Sequence, residues 1–104
     1  MLDRHTAPLE IACGILKQET IRFIQDGGYA DSAYKILDRW ALNSPDALKR
    51  LEALGLLVLE ERLNAQLEME VDAYNSESAR RAFEQGWTVY EFYEAVGVDT
   101  ELRV

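Results

Sequence analysis

The stretch LLVLEERLNAQLEMEVDAY, Leu56 to Tyr74, decides the fold class, because two periodicities fit it. At a spacing of three or four, Leu56, Leu59, Leu63, Leu67, Val71 and Tyr74 form one helical stripe. At a spacing of two, Leu67, Met69, Val71 and Ala73 alternate with Glu68, Glu70 and Asp72, as in a half-buried strand. The residue types favour the helix. Leu, Glu, Arg, Ala, Gln and Met dominate, and only Val58 and Val71 are β-branched. One long helix over 56–74 is predicted. The alternative is a hairpin that turns near Asn64-Ala65, which would make the fold α+β.

Working toward the N-terminus, Gly55 stops a short helix marked by Leu48, Leu51 and Leu54. Ser44 is suited to its N-cap and Pro45 to its first position. Before it, Ala30, Ala33, Tyr34, Leu37 and Ala41 share a face flanked by Ile36 and Trp40. A first helix is expected over 8–26, opened by Pro8 and striped by Leu9, Ala12, Leu16 and Phe23. Gly27 is expected to end it in the left-handed conformation, and Gly14 to mark a close helix crossing. Cys13, inside the apolar run Ile11 to Leu16, is expected to be buried.

Toward the C-terminus, Asn75-Ser76 breaks the chain, and Ala79, Ala82 and Phe83 mark a short helix capped by Gly86. Thr88 and Glu91 have the spacing of a capping box, so a last helix starts there and ends at Gly97. The expected fold is therefore an all-α compact bundle of five or six short helices. It is read as one domain over 1–104, with flexible ends at 1–7 and 98–104.

Composition narrows the function. A chain of 104 residues with 48% apolar side chains can bury a core without staples. One cysteine allows no internal disulfide, Met1 to Pro8 has no apolar signal region, and the longest apolar run is Leu56 to Leu59. A cytoplasmic location is expected. Residues 1–59 carry eight acids and seven Lys/Arg, a net of −1. Residues 60–104 carry eleven acids and four Arg, a net of −7. Such a half repels phosphate, so nucleic acid is an unfavoured partner.

No catalytic constellation is visible. His5, the single histidine, stands in the polar N-terminal arm and is read as a solvent-exposed residue. One Cys and one His cannot make a four-ligand zinc site, and no EF-hand or Walker pattern is present. No cofactor is expected.

The segment Ala82 to Val98 resembles the first part of a helix-turn-helix, on the rhythm of Gly86, Thr88, Glu91, Gly97 and Val98. The resemblance covers about a sixth of the chain, a weak motif, and implies a DNA-binding regulator. It departs after Gly97, where Asp99 and Glu101 stand against Arg103 and the seven residues 98–104 are short of a recognition helix. Ser44 to Leu57 resembles a winged-helix protein, where a short helix ends in Leu-Gly-Leu-Leu; that reading needs the hairpin.

The aromatic cluster Trp87, Tyr90, Phe92 and Tyr93 exceeds what one face of a short helix usually buries; core packing accounts for some of these rings, and the cluster marks a candidate interface, most readily a self-interface. Glu60, Glu61, Glu68, Glu70, Asp72 and Glu77, with Arg62 alone among them, mark a candidate acidic surface. The expected function is a non-enzymatic protein-interaction module, a homodimer that binds another protein through this acidic and aromatic half. An alternative is an acidic inhibitor or nucleic-acid mimic of the anti-restriction or anti-CRISPR type.

Overall fold

The computed structural model describes residues 9–104. The fold is all-α: helices α1 (Gln18–Asp26), α2 (Asp31–Asn43), α3 (Pro45–Ala53), α4 (Leu56–Tyr74), α5 (Glu77–Glu84) and α6 (Val89–Val96) follow in order, after a 3-10 turn at Ala12–Gly14. No strand occurs among the described residues, so the hairpin alternative for 56–74 is replaced by a single 19-residue helix. That removes the element on which the winged-helix resemblance depends. Among the described residues, no helix is long and apolar enough to cross a membrane. Met1 to Pro8, including His5 and the predicted flexible end at 1–7, lie outside the described residues.

The described residues form two compact units, one of residues 9–64 with 101–104 and one of residues 65–100. In the N-terminal unit, α2 turns a stripe of Ala33, Ile36, Leu37, Trp40 and Ala41 into the core. This stripe is rotated from the expected one: Ala30 is exposed and Tyr34 half-buried, while Ile36 and Trp40 are enclosed. Leu48 and Leu51 of α3, and Leu59 and Leu63 of α4, complete the same core. The Arg62 guanidinium carbon lies 5.0 Å over the Trp40 ring, so a cation covers the largest buried side chain. Within the segment 98–104, read as a flexible end, Leu102 is buried.

The predicted first helix over 8–26 is corrected. Its start is a 3-10 turn, the backbone extends at Lys17, and α1 begins only at Gln18. Two carboxylates explain the break. Asp38 of α2 accepts the backbone N–H groups of Leu9 (3.0 Å) and Ala12 (2.9 Å). Glu52 of α3 accepts the N–H of Lys17 at 2.7 Å, where a helix start needs an acceptor. Gly14 weakens a continuous helix by about 1 kcal/mol. It lies at no close crossing, since a Cβ there would meet nothing within 4 Å. Cys13, expected in the core, is exposed on this turn. At the far end of α1 the left-handed residue is Gly28 (φ 74°) rather than Gly27. Gly27 is small for a different reason: a Cβ there would fall 2.9 Å from the Tyr29 ring.

Leu9 is buried with a φ of 68°, a strained conformation for a leucine. Burial of its side chain and the bond from its N–H to Asp38 hold it there. Replacing Asp38 with Ala removes the acceptor for two backbone donors and should lower stability by about 1–3 kcal/mol. Urea denaturation measures this as a reduced midpoint, and Asp38→Asn, which keeps one oxygen, should lose less.

Candidate functional site

The C-terminal unit is framed by backbone chemistry. Ser76 caps α5, its hydroxyl accepting the Ala79 N–H at 3.1 Å while donating to the Ala73 carbonyl at 2.8 Å. At the end of α5, Gly86 adopts φ 94°, the Trp87 N–H donates to the Ala82 carbonyl at 3.0 Å, and the Gly86 N–H donates to the Phe83 carbonyl at 3.0 Å. The same pair of bonds recurs at Gly97 (φ 85°): Val98 N–H to Tyr93 carbonyl at 2.8 Å, Gly97 N–H to Glu94 carbonyl at 3.3 Å. Both are Schellman endings, which require a left-handed residue and favour glycine. Between them the predicted capping box is present. The Thr88 hydroxyl accepts the Glu91 N–H at 3.1 Å, and the Glu91 carboxylate accepts the Thr88 N–H at 2.8 Å.

The four candidate aromatics divide. Phe92 and Tyr93 are 4% and 5% exposed and build the core with Ala79 and Ala82, packed by Phe83, Val89 and Val98. Phe83 and Phe92 meet edge to face at 5.8 Å. The Tyr93 hydroxyl donates to the Glu70 carbonyl at 3.1 Å. Phe92 and Tyr93 are therefore core residues and offer no side-chain surface to a partner. Trp87 and Tyr90 are 42% and 57% exposed and remain as the outward part of the cluster.

The candidate acidic residues divide too. Glu61, Glu68, Asp72 and Glu77 are exposed, and Glu77 pairs with Arg80 at 2.8 Å and Arg81 at 3.8 Å. Glu70 is not on the surface: it is buried and accepts from the Gln66 amide at 2.6 Å. That amide also donates to the Asp99 carbonyl at 2.8 Å. The buried face of α4 in this unit is thus Gln66 and Glu70, and the expected stripe is corrected, since Val71 and Tyr74 are exposed. In the N-terminal unit, half-buried Glu60 accepts from the Tyr29 hydroxyl at 3.0 Å.

Trp87 borders an open groove of about 560 Å³ lined by Gln85, Gly86, Trp87, Glu91, Glu94 and Ala95. Among the described residues, its walls carry one indole, one amide and two carboxylates, with no Lys or Arg. Gln85, Glu94 and Ala95 were not singled out in the sequence. The available signal was Glu91 and Glu94, three apart on one helix face and four and seven residues after Trp87. Among the described residues, no group of three or more His, Cys, Asp or Glu could hold a metal ion. Residues 98–104 contain no helix, so the stretch that resembles a helix-turn-helix is not followed by one there.

No family model, curated protein or solved structure matches this chain.

The division into core and surface has a measurable consequence. Phe92→Ala should lower stability by about 3–5 kcal/mol. Tyr90→Ala, on the exposed side of the same helix, gives up the edge-to-face contact of its ring with Tyr93 at 6.2 Å and should cost less, about 0.5–1.5 kcal/mol. Chemical denaturation of the two variants checks both.

Partial burial, and then the hydrogen bond and negative charge of Glu60, raise the Tyr29 phenol above its ordinary pKa of 10.0; a bond with Asn64 opposes them. A folded pKa above the unfolded one means that this bond stabilises fully below the unfolded value. The contribution is lost as pH rises through the folded value. Ultraviolet absorbance titration should show Tyr29 ionising late, and Glu60→Gln should bring it back toward its ordinary value.

Proposed function

We propose that this protein is a non-enzymatic protein-interaction module whose C-terminal unit binds a basic surface of another protein. The observation that carries this reading is the outward pair Trp87 and Tyr90 beside Glu91 and Glu94, next to an open groove with no basic residue in its walls among the described residues. Large aromatic side chains with one wet end suit protein interfaces, where they supply contact area at low entropic cost. The unit 65–100 holds eight acids against Arg80 and Arg81, a net of −6, and that field draws a basic partner.

Self-association is favoured by a separate observation in the N-terminal unit. Leu54, Leu57 and Val58 are exposed in one short stretch, Leu57 by 73%. Residues 1–64 with 101–104 carry a net charge of only −2, so two copies repel less there than they would through residues 65–100. The acidic-mimic reading keeps support from Glu68, Asp72 and Glu77, which are exposed without any aromatic requirement.

Fluorescence polarisation with labelled peptides of equal length, one basic, one neutral and one acidic, tests the main reading. The basic peptide should bind, more weakly as salt rises, and a Trp87→Ala/Tyr90→Ala variant should lose it while staying folded. Equal affinity for the neutral peptide, or no affinity for the basic one, would overturn the reading. Binding that depends steeply on salt and ignores the aromatic substitutions favours the mimic. Light scattering after size exclusion should show a dimer that Leu57→Lys converts to monomer; a strict monomer at high concentration removes the dimer.

A further inference from the structure

We propose that the groove between the turn at Gln85, Gly86 and Trp87 and helix α6 is a receptor for one arginine side chain presented by a partner polypeptide. This rests on the reading of the C-terminal unit as a binder of basic protein surfaces and names the group that is recognised.

Charge complementarity is the first support. Glu91 and Glu94 stand one turn apart on α6 and both line the groove, and no cation lines it among the described residues. The two arginines of the unit lie on α5, where both pair with Glu77. Glu91 is held in place by the capping box, so one carboxylate is oriented before any ligand arrives. The Glu94 carboxylate, in contrast to the backbone carbonyl of that residue, forms no hydrogen bond or ion pair with a described residue.

The backbone adds to this field. Glu94 sits in the last turn of α6, at the negative end of the helix, and no basic residue stands in that turn to offset it. An incoming cation there faces both the side-chain charge and the negative helix end.

Trp87 supplies the third element. Its indole borders the groove and is partly exposed, presenting a ring for a cation to cover. Within the N-terminal unit the chain uses the same pairing internally, with Arg62 over Trp40 at 5.0 Å. A guanidinium is the better fit than an ammonium. It is planar, stacks on an indole, is weakly hydrated, and offers several N–H donors that can serve two carboxylates and the Gln85 amide at once.

Nuclear magnetic resonance of the isotope-labelled full chain tests the assignment, with N-acetyl-arginine amide and N-acetyl-lysine amide as probes at physiological salt. The arginine probe should shift the Trp87 indole N–H and the amides of residues 85–95 in a saturable way, and the lysine probe should bind more weakly. Trp87→Leu should weaken the arginine probe roughly two- to fivefold. Glu94→Gln should weaken it by up to about fivefold. Glu68→Gln, outside the groove, should leave it unchanged. Both groove variants alter exposed side chains, and their spectra report directly whether the fold is kept. Shifts spread evenly over Glu68, Asp72 and Glu77, or affinities indifferent to Trp87→Leu and Glu94→Gln, would overturn the arginine site. If basic peptides bind while the arginine probe misses the groove, this assignment fails and the module reading stands. If neither binds, both fail.

Discussion

A buried amide sets the layout of the C-terminal unit. Gln66 is fully enclosed, and enclosing an amide without partners is costly. Its nitrogen is satisfied twice, by the Glu70 carboxylate and by the Asp99 carbonyl, while its oxygen has no partner among the described residues. Those two bonds fix which face of α4 turns inward from residue 66 onward. They also hold the backbone just after α6. With that face committed, Met69, Val71 and Tyr74 turn outward, although they are apolar. Tyr93 closes the arrangement by donating to the Glu70 carbonyl, so the polar contacts and the aromatic core share one helix turn of α4.

Much of the fold was legible in the sequence. The residue types of Leu56 to Tyr74 favoured a helix over a hairpin, and the helix forms. Thr88 with Glu91 and the endings at Gly86 and Gly97 were readable because caps and left-handed turns depend on local chemistry. What failed was anything set by partners distant in the chain. The first helix broke because Asp38 and Glu52 supply acceptors from α2 and α3, and no local pattern reveals a carboxylate 26 or 35 residues away. The inward turn of α4 failed for the same reason. An apolar stripe predicts burial by hydrophobicity, whereas Gln66 is buried for a hydrogen bond to a carbonyl 33 residues on.

The candidate site was half legible. The aromatic cluster was visible, but composition could not separate Phe92 and Tyr93, which fill the core, from Trp87 and Tyr90, which face outward. That division follows from the helix phase of α6 against Ala79 and Ala82. The acidic surface was overcounted by Glu70, whose burial is compensated by an amide four residues away. The groove itself needed the turn at Gly86, which brings Gln85 and Trp87 beside Glu91, Glu94 and Ala95.

The two glycine turns and the capping box hold α6 through backbone bonds, and a Cβ at either glycine would meet nothing within 4 Å. Their role is conformational rather than steric. Trp87 and Glu94 take no part in the buried core. The frame and the lining of the groove are therefore largely separable: Gly86, Thr88, Glu91 and Gly97 keep the shape, while the identities at 85, 87, 94 and 95 can drift with little effect on folding. Substitutions at those four positions therefore change the charge and polarity of the groove while leaving the stability of the unit nearly untouched, so its chemistry and its fold are set by different residues.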